Sequence, residues 1–189
     1  MMDVQILMAE HRVIESAIRA LTAYARSVAN GSDAPRADLA GLVGFLQDYA
    51  DAYHHGKEED ILFRAMIDNG MPVNGGPLAV MLAEHTEGRR LTNRLSDISS
   101  GEGEWNREQR RKLLFDATSY ARLLNEHIQK EDRVLYPMAA QMLSSEVWRQ
   151  IESEFSAFQS APQRAEQAAL FEQMAQDLVR RYVVDDEYS

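Results

Sequence analysis

The sequence predicts an all-α protein: an antiparallel four-helix bundle in up-down-up-down order, with one or two further helices near the C-terminus. Three observations predict it. Turn signals built from Gly, Pro, Asn and Ser cut the first 143 residues into four long pieces. Those pieces are rich in Ala, Leu, Arg, Glu and Gln and poor in β-branched runs, and their apolar residues recur at helical spacing.

The first piece covers about 2–30 and is closed by Asn30-Gly31-Ser32. Along it Val4, Leu7, His11, Ile14, Ile18, Leu21, Ala25 and Val28 step by 3 and 4 throughout. The second covers about 36–69: Pro35 suits the first turn of a helix, and Asn69-Gly70-Met71-Pro72 ends it. Its seam is Val43, Leu46, Ala50, His54, Glu58, Ile61 and Ala65. The third, about 77–100, follows Gly75-Gly76-Pro77, stops at Ser99-Ser100-Gly101-Glu102-Gly103 and carries Leu78, Met81, His85, Leu95 and Ile98. The fourth, about 105–143, carries Leu113, Ala117, Tyr120, Leu124, His127, Glu131, Val134 and Met138. Pro137 is expected to bend it or end it a turn early. Short connections between long helices imply antiparallel neighbours. Residues 1–143 therefore read as the bundle and 144–189 as a helical extension. Within the extension Ser144-Ser145-Glu146 and Ala161-Pro162 are helix starts and Asp185-Asp186-Glu187 is a polar tail. It is expected to pack on the bundle or to form a homodimer contact.

Composition narrows the function. A chain of 189 residues buries roughly 70% of its unfolded surface and needs no disulfides. It has no cysteine, which excludes thiol catalysis, zinc fingers and iron–sulfur ligation from within this sequence. The net charge of −10 repels phosphate backbones and anionic lipid, so nucleic acid is excluded as a main partner. No segment approaches the ~20 apolar residues of a membrane helix, and the first residues lack the pattern of a signal peptide. A cytoplasmic location is expected.

The seams hold polar residues where core residues belong: His11 in the first, His54 and Glu58 in the second, His85 in the third, His127 and Glu131 in the fourth. Two buried carboxylates in one core require a counter-charge. His54/Glu58 and His127/Glu131 are i,i+4 pairs, each placing a nitrogen and a carboxylate on one helix face. The chain also repeats. Ala9-Glu10-His11 recurs as Ala83-Glu84-His85 after 74 residues, and His54-x-x-Lys57-Glu58 recurs as His127-x-x-Lys130-Glu131 after 73. Leu62-Phe63 and Leu135-Tyr136 follow in register. Two such halves form a pseudo-two-fold site whose four imidazoles and two carboxylates suit two metal ions bridged by the carboxylates. His11, 19 residues before Asn30, and His54, 19 after Pro35, face each other across the first turn. Imidazole plus carboxylate suits iron, manganese or zinc. Structural zinc sites are closed and cysteine-rich, whereas open positions here favour iron.

Neighbouring residues read as outer support or surface. His55 aligns with Ile128 in the repeat and is assigned a supporting or structural role. Glu10 and Glu84, beside seam positions, are expected to point sideways, into solvent or into a hydrogen bond that supports the adjoining site, and Lys57 and Lys130 are expected to be solvated. Glu15 is left out, because its counterpart is Arg89. Tyr120 and Tyr53 are expected to be packing residues.

The motifs Glu10-His11, His54-His55-x-Lys57-Glu58-Glu59, Glu84-His85 and His127-x-x-Lys130-Glu131-Asp132 resemble the hemerythrin-like, or HHE cation-binding, domain family over about residues 5–140. The resemblance implies an oxo- or hydroxo-bridged di-iron centre, with Glu58 and Glu131 as bridges and His11, His54, His85 and His127 as terminal ligands. Oxygen-carrying hemerythrins use a fifth histidine from an HxxxH pair on the third helix, and here that position is Arg89. The set is closer to the branch linked to nitrosative stress and repair of iron centres. Neither the ExxH pattern of ferritins nor HExxH occurs. Two functions follow: binding or sensing of a small diatomic or peroxide ligand or of iron, and redox catalysis on peroxide or nitric oxide.

Overall fold

The computed structural model describes residues 4–182, save for the side chains of 162–169, 172 and 175; the polar tail at Asp185-Asp186-Glu187 lies outside the described residues. The described residues form six helices and no strand. Helix α1 is Gln5–Ala29. Helix α2 runs from 36 to 68, regular over Arg36–Phe45 and Arg64–Asp68 and wound in wider π turns over Leu46–His55 and Glu58–Phe63. Helix α3 is Gly76–Ser99. Helix α4 runs from 107 to 142, with π turns over Glu131–Leu135 between regular stretches. Helices α5, Ser145–Ser160, and α6, Pro162–Tyr182, follow. No described helix is long and apolar enough to cross a membrane.

Two of the expected stop signals work by one device. After α1, Gly31 takes φ 105°, its N–H donates to the Val28 carbonyl and the Ser32 N–H donates to Ser27. After α2, Gly70 at φ 102° does the same to Ile67, with Met71 donating to Met66. A left-handed residue at that point lets the last carbonyls be satisfied, and glycine adopts it without a Cβ clash. Helix α4 opens on a capping box, in which the Asn106 side chain accepts from the Gln109 N–H and the Gln109 side chain accepts from the Asn106 N–H. Ser144 caps α5 through the Val147 N–H.

The early end allowed for at Pro137 does not occur, because α4 continues past it to Met142. A proline ring crowds the carbonyl four residues back and removes one N–H from the ladder. The π turns over Glu131–Leu135 have already opened the ladder there, so the proline costs the helix less.

Helix α1 packs on α2, α4 and α6, and α3 packs on α2 and α4. Two glycines let the last helices approach α2. A Cβ on Gly41 would lie 3.3 Å from the Met174 sulfur of α6, and one on Gly56 would lie 3.4 Å from Phe158 of α5. The core has two apolar clusters. One gathers Ile14, Ile18, Leu21, Leu46, Ala50, Leu91 and Leu124, and the other Leu7, Leu62, Phe63, Met81, Leu135, Trp148 and Phe155. Each of α1 to α4 crosses from one cluster to the other, and at each crossing the buried residue is polar: His11, then His54 to Glu58, then His85, then His127 and Glu131. A polar belt is thus sealed on both sides by apolar packing, which removes water from it.

Candidate metal centre

The six residues singled out in the seams converge on this belt, and all are essentially fully buried. Glu58 Oε2 lies 3.6 Å from both His54 Nε2, one turn back on α2, and His85 Nε2 on α3. Glu131 Oε2 lies 3.3 Å from both His127 Nε2, one turn back on α4, and His11 Nε2 on α1. The two halves repeat in space as they do in sequence. Across the centre, His85 Nε2 and His127 Nε2 are 3.0 Å apart, and the His11 and His54 rings are 4.6 Å apart between centroids.

A second ring of charges holds the first. His54 Nδ1 donates to Glu10 at 2.9 Å, His85 Nδ1 to Glu59 at 2.6 Å, His127 Nδ1 to Glu84 at 3.0 Å and His11 Nδ1 to Asp132 at 2.7 Å. Each helix thereby lends a carboxylate to a histidine of the next, α1 to α2 to α3 to α4 and back to α1. Each carboxylate also has a cation: Lys57 on Glu10, Arg89 on Glu59, Lys130 on Glu84 and Arg12 on Asp132. A carboxylate on Nδ1 fixes the tautomer, orients the ring and leaves the neutral Nε2 lone pair to face a metal.

This ring overturns part of the sequence reading. Glu10 is 6% exposed and Lys57 is fully buried, with its ammonium also 4.0 Å above the Tyr53 ring, so neither is a solvated surface residue. Glu84 and Lys130 pair as well, although Lys130 stays partly exposed. Glu15 remains outside the centre, on Arg12. His55 is 4% exposed and stacks on His85 at 3.8 Å. The π turn at this point contains more residues per turn than an α turn, so consecutive residues diverge less and both His54 and His55 reach the interior. Sequence reasoning also missed Tyr136, whose hydroxyl donates to Glu58 Oε1 at 2.6 Å and lies 3.3 Å from His11 Nε2. The repeat held the signal: Tyr136 stacks on His11 as Phe63, its counterpart, stacks on His85, but only tyrosine carries a hydroxyl. Tyr120 packs in the first apolar cluster, as expected of it.

The electrostatics of the protein alone are unbalanced. Burial and the neighbouring Glu131 charge push the Glu58 carboxyl well above its ordinary range. Burial also acts to raise Glu131, but His127 and His11 outweigh it and hold that carboxyl below the usual range. Burial and the nearby His11 depress His54 strongly, while burial and His85 lower His55 to about 3. At His11 burial opposes the charge, yet Asp132 and Glu131 overcome it and raise the group to about 9. Four inward-facing atoms, His54 Nε2, Glu58 Oε2 and both Glu131 oxygens, have no hydrogen-bond partner. Orphaned buried acceptors of this kind are costly unless a cation collects them. The donors fall into two groups, His11, His54, Glu58 and Glu131, and His55, Glu58, His85 and His127, each with its ligand atoms within 4.8 Å of one another. Glu58 belongs to both. Nitrogen and carboxylate donors at this spacing fit iron, manganese or zinc.

Comparison with known proteins agrees with this chemistry. The chain is 23% identical over 149 residues to uncharacterized proteins of Mycobacterium bovis and of two strains of Mycobacterium tuberculosis. That stretch is 79% of this chain but 58% of each relative, so the chain spans little more than half their length. The model of the hemerythrin HHE cation binding domain matches residues 2–139, and the chain belongs to that family.

Proposed function

We propose that this protein is a non-haem di-iron protein that binds or senses oxygen, nitric oxide or iron, with His11, His54, His85 and His127 as terminal ligands and Glu58 and Glu131 as bridges. The observation that carries the reading is the set of four orphaned, inward-facing acceptors, on His54, Glu58 and Glu131, in a sealed belt. The up-down-up-down bundle of residues 1–143 fits it, since successive helices meet the two apolar clusters in alternating order. The described part of the extension, residues 144–182, acts as a brace on the bundle. Iron held there would supply exchangeable coordination positions and a redox couple. The protein's part is to exclude water through the two apolar clusters and to keep each Nε2 lone pair inward through its Nδ1 carboxylate.

Tyr136 favours a second reading, a di-iron redox enzyme consuming peroxide or nitric oxide, because a buried phenol on Glu58 can supply a proton or an electron. Iron loading separates the readings. Stoichiometric iron with oxo-bridge absorption and no sustained turnover of peroxide or nitric oxide supports the binding protein. Repeated turnover supports the enzyme, and failure to take up iron excludes both.

The pH dependence has a definite sign. The folded pKa of His11, about 9, exceeds its ordinary 6.5, so in protein stripped by a chelator its contribution to stability is fully present below 6.5 and is lost as pH rises through about 9. Metal must displace that proton at neutral pH, so metal uptake near pH 7 releases acid and affinity increases with pH. Uptake in weak buffer with a pH indicator measures the release; uptake without acidification contradicts the assignment of His11.

A further inference from the structure

We infer that Asn74 is a site of spontaneous covalent modification, at which the side-chain amide is lost to the following peptide nitrogen and the residue becomes aspartate or isoaspartate. An Asn-Gly pair favours this reaction, because glycine has no Cβ to hinder the approach of its own nitrogen. The chain has three such pairs, Asn30-Gly31, Asn69-Gly70 and Asn74-Gly75. All three asparagines are exposed, and a Cβ built on any of the three glycines would meet nothing within 4 Å. Water and space therefore do not separate them.

The peptide nitrogen does. It attacks after losing its proton, and it must be free to swing toward the side chain. The Gly31 N–H donates to the Val28 carbonyl at 3.1 Å and the Gly70 N–H to the Ile67 carbonyl at 2.9 Å, in the turns that end α1 and α2. Asn69 is held twice, since its side-chain amide donates to the Ala65 carbonyl at 2.8 Å. A donated N–H resists deprotonation and keeps the backbone in place. Asn74-Gly75 lies in the connection before α3, and among the described residues neither the Asn74 side chain nor the Gly75 N–H makes a hydrogen bond. There the Gly75 nitrogen forms a bond to Asn74 Cγ, and the side-chain nitrogen leaves as ammonia with the proton that the peptide gave up. Water then opens the five-membered imide, at the side-chain carbonyl to give aspartate or at the main-chain carbonyl to give isoaspartate. Helix α3 has no acidic residue in its first turn and no side chain capping its start. The new carboxylate thus supplies negative charge at the positive end of the helix that carries His85.

Peptide mass spectrometry of the full chain, incubated folded at mildly alkaline pH and digested at intervals, tests this, since exchange of NH2 for OH adds about 1 Da. Asn74 should convert about 10-fold faster than Asn30 and Asn69, the factor imposed on those two by first opening a hydrogen-bonded turn. Both aspartate and isoaspartate should be present at Asn74. In denaturant, where no N–H is held and each asparagine still precedes glycine, the three rates should converge. Asn74→Gln, whose longer side chain would have to close a less favourable six-membered ring, should remove the first acidic band seen on isoelectric focusing. Equal rates at the three sites in the folded chain overturn the assignment, as does an Asn74 that stays intact while the denatured chain loses its amide. A faster Asn74 in denaturant as well would show that the fold does not select it. Persistence of the early acidic band in Asn74→Gln would place the modification elsewhere.

Discussion

Glu58→Ala is expected to empty the centre, and Glu59→Ala to loosen it. Adjacent in sequence, the two residues differ completely in what they face. Glu58 is fully buried and belongs to both donor groups, so on the proposed di-iron reading its removal takes a ligand from each metal position at once. Glu59 points outward, where it accepts from His85 Nδ1 and pairs with Arg89. Loss of such an outer partner costs roughly 10- to 100-fold in affinity, leaving the ligands themselves in place. Iron retained after gel filtration should fall to background for Glu58→Ala and remain substantial for Glu59→Ala. The reverse order would move the ligand register to His55 and Glu59.

The largest effect on stability is expected at Glu10, a residue whose sequence position suggested the surface. Its carboxylate accepts from His54 Nδ1 and from the ammonium of fully buried Lys57. Truncating one partner of a buried ion pair costs about 3–5 kcal/mol, because the remaining charge loses its compensation within the low-dielectric interior. For a chain of this length that corresponds to a fall in Tm of roughly 6–20 °C. Glu87→Ala, which removes an exposed partner of Arg90, should leave Tm unchanged. Thermal melts of the two variants in chelator decide the matter, since metal is then absent from both. Equal melting temperatures would show that Lys57 does not depend on Glu10. Lys57→Met should be milder than Glu10→Ala, as it replaces the cation with an apolar side chain of similar length in a buried position.

What could be read along the chain were features with a period. Helices announced themselves through apolar residues every three or four positions. The ligand candidates were visible as polar interruptions of that pattern, and the 73- and 74-residue repeat set His54 above His55 and Glu58 above Glu59. Glu10 and Lys57 were invisible to the same test. A residue beside a seam position is assigned to the surface when only its own helix is considered, and its burial depends on the neighbouring helix that covers it. Tyr136 was hidden differently: in the repeated pair with Leu135 it reads as an apolar residue like its counterpart Phe63, and only its placement beside Glu58 gives the hydroxyl a role. The helix does not end at Pro137 because the turns before it are not regular α turns, which the spacing alone does not reveal.

The sequence by itself determined the helices, their stop signals and the six polar seam residues, because these depend on local backbone preference and on hydrophobic spacing within one helix. Tertiary structure alone decided how those residues are held and which others join them. The ring from Glu10 to Asp132 crosses between helices at every step. The inward turn of His55 belongs to a π stretch whose wider winding escapes an α-helical count of residues. Charge pairing across helices and departures from the α period are both absent from a one-dimensional pattern, and here they complete the centre.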